Sequence, residues 1–321
     1  MIISFVYRIQ GKERGKTEKI LSSPGKGRAD MDSMKVKALA KINLGLDVLG
    51  KRADGYHEIR MIMQTIHLYD QLIITKKKEP SISIETNLDF LPVNENNLVY
   101  RAAKLMKEQY SIKEGVHVVL KKHIPVAAGM AGGSTDAAAV MYGMNELFGI
   151  LAKRQKLMEL GVKIGADVPF CLMRGTALAE GIGEKLKSLP PVPKCPVLIA
   201  KPGIGISTKY VYENLRLDEH TSHPDIDAQL QAIFAKDLHG LAGHMGNLLE
   251  SVTITEYPII QQIKEHMKDH GALNAMMSGS GPTVFGLFEE EETARKAYEA
   301  MQNSGLAKQV FLTSMYNNRK S

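Results

Sequence analysis

Residues 125–140 read PVAAGMAGGSTDAAAV, and no other stretch restricts the fold of this chain so tightly. Pro125 ends an alternating run, residues 116–122, whose period of two is that of a strand. Gly129, Gly132 and Gly133 then make a loop with other small residues, and Ser134 opens an alanine-rich segment of high helix propensity. A strand, a glycine loop and a helix in that order gather backbone N–H groups at one point. Glycines permit the turn, and the first helical turn leaves its N–H groups unpaired. With the positive end of the helix dipole behind them, these groups form a cradle for an anion, and phosphate is the expected one. The pattern is not the Walker loop, since no lysine stands between the glycines and Ser134-Thr135. A tight strand-to-helix turn with Ser134 as N-cap is the alternative reading.

The 321 residues suffice for two domains and a substantial core, and 44% hydrophobic with 24% charged residues is the balance of a globular protein. No apolar run reaches the length of a membrane span, and residues 1–9 are too short and poorly flanked for a signal peptide, so the expected location is the cytoplasm, with no membrane partner. Cys171 and Cys195 stand far apart, without a second cysteine or histidine at ligand spacing, and read as buried reduced thiols. Half of the net charge of +6 falls within residues 1–33. The rest of the chain is nearly balanced and does not interleave basic with aromatic residues, which argues against a nucleic-acid partner.

Residues 1–33 are polar, punctuated by glycine and almost without periodicity, which predicts a flexible N-terminal extension. Met34 stands just before the first credible strand, so the chain's own start is expected there if the extension is an artefact of the reading frame. Residues 35–49 read as a strand in which Lys41 and Asn43 share one face. Asp54-Gly55 marks a turn into a second strand at 59–68, so the pair is an expected hairpin. Further strands are expected at 71–77 and 81–85, and helices at 97–109 and 154–164. Prolines 190, 191, 193 and 196 mark the expected boundary between domains at 34–189 and 190–321. Beyond it the pattern predicts strands at 197–201, 272–277, 284–288 and 309–314. Helices are expected at 207–214, where Ser207 is the cap, and at 227–235, 257–270 and 291–302. Strands mixed with helices in both halves give an α+β class.

Three separated stretches offer side chains or backbone to a ligand: residues 41–57, the glycine loop, and SGSGPT at 278–283. The last reads equally well as a hairpin turn. Asp167, in GADVPF at 165–170, is a carboxylate among apolar neighbours, and such a group is either solvent-facing or held for a purpose. His266 and His270 have helical i, i+4 spacing but no acidic third ligand in view, and read as one surface face of a helix.

A polar strand with Lys41 and Asn43, then P-x-x-x-G-x-x-G-G-S, then a glycine-serine loop near the C-terminus is similar to the three motifs of the GHMP small-molecule kinases. AKINL, RADGYH, GADVPF and SGSGPT, in that order, narrow the resemblance to the branch whose acceptor is 4-diphosphocytidyl-2-C-methyl-D-erythritol. It covers residues 35–313, all but the extension. It implies a two-domain α+β fold, with an N-terminal domain like the second domain of ribosomal protein S5 and a C-terminal domain like an α/β plait. The implied reaction is ATP-dependent phosphorylation of the acceptor's 2-hydroxyl, with magnesium, by a monomer or homodimer.

Carried onto this sequence, the resemblance makes Asp167 the base that accepts the hydroxyl proton and Lys41 its neighbour, holding hydroxyl and carboxylate in register. It gives the ATP phosphates to the stretch containing Pro125, Ala128, Gly129, Met130, Ala131, Gly132, Gly133, Ser134 and Thr135, with Ser134 near the magnesium and Asn97 in the nucleotide pocket. Tyr56 and Tyr212 would stack on either face of cytosine, His57 would bond its edge, and Asn43 would lie near the sugar alcohol. Ser278, Gly279, Ser280 and Gly281 form the third loop. Taken singly, Lys41 reads as a surface lysine, Asp167 as a turn residue, His57 as a solvated loop residue and Tyr212 as core packing; their joint order carries the assignment. Met130-Ala131 departs from the leucine and glycine of many members, and the loop is expected to accept Ala131 at a negative φ. A homoserine or mevalonate kinase is the alternative within enzymes, and a nucleic-acid-binding module the alternative outside them.

Overall fold

The computed structural model describes residues 31–317. Its frame is an antiparallel hairpin of two long strands, β1 (Ser33–Lys51) and β2 (His57–Lys77). The separate strands expected at 59–68 and 71–77 are one strand: Tyr69 and Asp70 keep their partners on β1, Leu39 and Ala38, and leave no break. The hairpin register shifts between Leu39 and Lys41, Asn43 and Gly45, and Val48 and Gly50. Such irregularities bend a strand and re-aim its side chains. These flank Lys41 and Asn43, both polar and both buried.

On this hairpin the first half adds β3 (Ile82–Thr86), α1 (Leu98–Gln109), β4 (Gly115–Lys121), α2 (Gly132–Leu147), α3 (Arg154–Gly161), α4 (Val168–Met173), β5 (Thr176–Gly181) and β6 (Lys185–Ser188). The sheet order is β3-β4-β2-β1, with β5 on the other stretch of β2 and β6 beyond it. One face is covered by α1 and α2, through Ala102, Ala103 and Met106 on the first and Ala137, Met141 and Met144 on the second. The pair β5–β6 went unread in the sequence because its short, alanine- and lysine-containing runs lack the β-branched signature of strands.

After Ser188 come β7 (Pro196–Lys201), α5 (Thr208–Asn214), α6 (Ile226–Ala235), α7 (Leu238–Gly243), β8 (Gly246–Asn247), α8 (Glu250–Glu256), α9 (Ile259–Asp269), β9 (Asn274–Met277), β10 (Val284–Leu287), α10 (Glu291–Asn303) and β11 (Gln309–Ser314). The second sheet has the order β11-β7-β10-β9, antiparallel throughout, which is the split βαβ arrangement of plait-like domains. α9 buries Ile260, Ile263 and Met267 at helical spacing, each worth roughly 1.5–3 kcal/mol of transfer free energy. His266 on this helix and His270, its C-cap, have ring centroids 4.3 Å apart, and among the described residues no group of three His, Cys, Asp or Glu could hold a metal ion.

The two sheets share a core. Leu46, Val48 and Met63 of the hairpin pack in one cluster with Leu198, Met277 and Val284 of the second sheet. β8 leaves the second half to pair in parallel with Gly45 and Leu46 of β1. Among the described residues, no helix is long and apolar enough to cross a membrane. Cys171 and Cys195 are free and buried. The extension expected at 1–33 lies almost wholly outside the described residues; β1 already begins at Ser33.

Candidate active site

The glycine loop leaves β4 and enters α2 at Gly132, two residues before the helix start expected at Ser134. Ala131, not Ser134, occupies the N-cap position. Its φ is +55°, so the negative φ on which tolerance of this alanine is conditioned is not met: the chain adopts a left-handed turn here with a residue that resists it. No side chain caps the helix. The N–H groups of Gly132, Gly133 and Ser134, the first turn of a 16-residue helix, are therefore left for another acceptor.

The loop is held from two sides. Thr135 Oγ1 donates to the Leu39 carbonyl at 2.8 Å, and Lys41 N to the Met130 carbonyl at 3.3 Å, which tie it to β1. From the second half, Ser278 Oγ donates to the Gly129 carbonyl at 3.0 Å. The contact is close: a side chain on Gly129, whose φ is +73°, would begin 2.0 Å from the Ser278 carbonyl oxygen. Ser278, Gly279, Ser280 and Gly281 join β9 to β10, and Asn247 of β8 fixes them by donating to the carbonyls of Met277 and Gly279, both at 2.8 Å. Thr208, at the start of α5, bonds Ser280 between hydroxyls at 2.7 Å.

Around these loops opens a cavity of about 1050 Å³. Its wall includes Lys41 and Asn43 of β1, Tyr56 and His57 at the start of β2, Gly129, Ala131 and Ser134 of the glycine loop, Asp167 before α4, Tyr212 of α5, and Gly279 and Ser280. The lysine ammonium donates to Asn43 Oδ1 at 2.6 Å and to the Gly129 carbonyl at 2.9 Å. Burial holds it below the ordinary lysine value, and the charge of Asp167 opposes that shift. Among the described residues no carboxylate lies within 4.0 Å of this ammonium, so Lys41 and Asp167 interact through space across the cavity wall. Asp167 is half-buried and stands at the N-terminus of α4, whose dipole favours a carboxylate there. Burial, then the charge of Asp167, push up the thiol of Cys171 one turn later, which keeps it protonated.

His57 and Tyr212 face each other with ring centroids 5.0 Å apart and planes tilted by 33°. Burial first, then the charge of Lys51, lower the imidazole pKa, so the ring is neutral at neutral pH. Burial and the Asp167 charge push the Tyr212 phenol up to about 12. Tyr56 is 61% exposed, an aromatic face open to the cavity.

Not every expected site residue reaches this wall. Asn97 is the N-cap of α1: its Oδ1 accepts from Val99 N at 2.9 Å and its Nδ2 donates to the Pro92 carbonyl at 2.7 Å. Pro125, Ala128, Met130 and Thr135 are buried beneath the loop. Gly132 and Gly133 open α2 between the wall residues Ala131 and Ser134, and they, like Ser278 and Gly281, are not in the wall themselves. Sequence reasoning missed Asn247, Thr208 and a buried trio, Asp70, Lys122 and Asp136. Only Asp136 had a signal, a carboxylate inside an alanine helix.

Comparison with known proteins agrees with this geometry. The GHMP kinases N terminal domain family matches residues 97–175, and the GHMP kinases C terminal family matches residues 229–307. The 4-diphosphocytidyl-2-C-methyl-D-erythritol kinase of Lachnoclostridium phytofermentans is 56% identical over 289 residues, which cover 90% of this chain and 99% of that protein. That of Lachnospira eligens is 57% identical over 286 residues, 89% and 99% of the two chains. A crystal structure of 4-(cytidine 5'-diphospho)-2C-methyl-D-erythritol kinase superposes with a TM-score of 0.76 at 32% identity, covering 89% of this chain and 100% of that one. The homoserine kinase of Cytophaga hutchinsonii reaches the same TM-score at 20% identity, over 92% and 98% of the chains, a likeness of fold alone. With two sheets, an uncapped helix start facing a cavity and relatives this similar over their whole length, the chain belongs to the GHMP kinases, in the 4-diphosphocytidyl-2-C-methyl-D-erythritol kinase family.

Proposed function

We propose that this ATP-dependent kinase phosphorylates the 2-hydroxyl of 4-diphosphocytidyl-2-C-methyl-D-erythritol, giving the 2-phosphate and ADP, in the non-mevalonate route to isoprenoid precursors. The observation that carries the reading is a single cavity lined both by the His57–Tyr212 ring pair and by Lys41 with Asp167. The first pair suits a nucleobase, and the second suits transfer to an alcohol.

In this reading the ATP phosphates lie on the free N–H groups of Gly132, Gly133 and Ser134, where the dipole of α2 favours negative charge. Asp167 takes the proton of the acceptor hydroxyl as its oxygen attacks the γ-phosphorus, while the bond from that phosphorus to the bridging oxygen breaks and ADP leaves. The ammonium of Lys41, fixed by Asn43 and Gly129, orients hydroxyl and carboxylate. Magnesium commonly keeps several waters and is held by one or two protein groups together with the substrate phosphates, so it needs no all-protein cage. The Ser134 hydroxyl is the protein oxygen that would hold it, and the bound ion would supply charge neutralisation on the phosphates. Cytosine stacks between Tyr56 and Tyr212, and the neutral His57 offers its edge one donor and one acceptor. Asn97 serves the nucleotide pocket only through α1, whose Leu98 stands against Gly133.

We assign residues 34–189 to the nucleotide-binding half and 190–321 to the other. Supporting the division, the strands up to Ser188 join the first sheet and β7 opens the second. We also place the enzyme in the cytoplasm, where both charged substrates are soluble metabolites. An assay of ADP release with the diphosphocytidyl acceptor, homoserine and mevalonate tests the reading. Turnover of the first alone, lost in Asp167→Asn, is expected. Turnover of a rival acceptor would discard the cytosine pocket.

A further inference from the structure

Beneath the glycine loop lies a charged trio that the chemistry above does not use. Lys122, the residue after β4, donates through Nζ to Asp136 Oδ2 at 2.7 Å and to Asp70 Oδ2. All three are buried: Asp70 is 0% exposed, Asp136 2% and Lys122 7%. The second oxygen of Asp70 accepts the backbone N–H groups of His123 and Ile124, the latter at 2.8 Å. Those two residues carry the chain into Pro125. Asp136 belongs to α2, the helix that the loop enters. The trio therefore grips the loop where it begins and where it ends, from β2, β4 and α2 at once. The fit is tight, since a side chain on Gly132 would begin 3.2 Å from the Lys122 nitrogen.

Two carboxylates and one ammonium cannot all be charged at low cost in such a place. Burial, reinforced by the Asp70 carboxyl, raises Asp136 well above the usual carboxylate range, with Lys122 opposing. Burial also disfavours the Lys122 ammonium, but Asp136 and Asp70 outweigh it and raise its pKa. The site therefore disfavours the charged form of Asp136. Buried ion pairs of this kind are poor sources of stability, because well-packed apolar residues often do as well; their best-attested use is to fix one arrangement.

We propose that Lys122, bridged to Asp70 and Asp136, is the positioning device of the nucleotide loop. It sets the spacing between the end of β4 and the start of α2, and through it the grip on the ATP phosphates. The acceptor pocket does not depend on it. The inference rests on the reading of the loop as the ATP site.

The test uses the full chain and its Lys122→Met, Asp136→Ala and Asp136→Asn variants, with fluorescent N-methylanthraniloyl-ADP as the probe. Thermal melts, and separate KM values for ATP and acceptor, accompany the binding curves. Lys122→Met and Asp136→Ala are expected to weaken probe binding and raise the ATP KM by about tenfold, with the acceptor KM within about twofold. Asp136→Asn keeps the shape of the carboxyl and one oxygen to accept from Lys122, and should stay within about threefold of the parent in both. Folded variants that bind the probe like the parent would overturn the proposal. So would a parallel rise in both KM values, or an Asn variant as impaired as the Ala one. If Lys122→Met fails to fold, the two Asp136 variants decide. A parent that binds the probe yet phosphorylates a different acceptor would remove the substrate assignment and leave this series decisive. A parent that binds no probe would overturn both.

Discussion

The hydroxyl of Ser278 rests on the carbonyl of Gly129, so a loop of the second sheet closes directly over the phosphate-type loop of the first. A side chain on Gly129 would strike the Ser278 carbonyl at 2.0 Å, on backbone at φ +73° that L-residues resist. Gly129→Ala is therefore expected to lower stability by about 2–3 kcal/mol, from overpacking and a positive φ together, and to abolish nucleotide binding. Urea unfolding followed by circular dichroism measures the first. The contrast is Gly133→Ala, whose new methyl meets only Leu98 at 3.4 Å. There a helical alanine should add roughly 0.5–1 kcal/mol while weakening ATP binding, and a loss of stability would contradict the account.

Ala131 holds a left-handed conformation that glycine adopts freely. Ala131→Gly should raise the urea midpoint by the equivalent of about 1 kcal/mol, at an unchanged slope. No gain would mean that surrounding contacts already compensate for the alanine.

Asp167→Asn should reduce kcat by roughly 10²–10⁴ and leave both KM values nearly unaltered, the signature of a lost proton acceptor. A mutant that retained kcat would assign the proton elsewhere.

For Tyr212, removal of the ring and removal of its hydroxyl should part company. Base stacking is worth about 1–3 kcal/mol, so Tyr212→Ala should raise the acceptor KM by about tenfold or more with the ATP KM unmoved. Tyr212→Phe should be nearly silent, because stacking needs the ring and not the phenol.

His57 has a lowered pKa, from burial and from Lys51, so the folded protein binds its proton less readily than the unfolded chain does. Its contribution to stability is complete above the ordinary imidazole value of about 6.5 and is lost as pH falls below it. The acceptor KM should rise over the same acidic range, at the lower pH set by the shifted group, as the ring loses its acceptor nitrogen. In His57→Asn that rise should vanish; a profile identical to the parent would place the titrating group elsewhere.

The sequence was most legible where chemistry and local geometry coincide. Lys41 and Asn43 share a strand face, and the glycine loop precedes a helix, so spacing showed the local geometry and the resemblance supplied the roles. Ser207 was readable as a cap because Ser at a helix start has one dominant use, and it accepts from Tyr210 N at 3.3 Å. Asn97 has the same local signature, which its site reading passed over in favour of the ligand. The left-handed Ala131 was hidden because nothing in an alanine's neighbours announces a positive φ. Asn247 and the Asp70–Lys122–Asp136 trio were hidden for a different reason, since their partners lie 14 to 52 residues away and are reached only once the elements pack.

The two-residue strand β8 bears on how this chain can be taken apart. Gly246 and Asn247 seal an edge of the first sheet from within the second half, and the side chain of Asn247 then reaches back to the Met277–Gly279 turn. A cut in the proline-rich crossing near residue 190 would yield two fragments, each baring half of one apolar seam and neither able to replace the missing edge. Such fragments would have reason to associate, and the enzyme would be a candidate for reassembly from pieces, whereas swapping either half alone with a distant relative would break a register set by two residues.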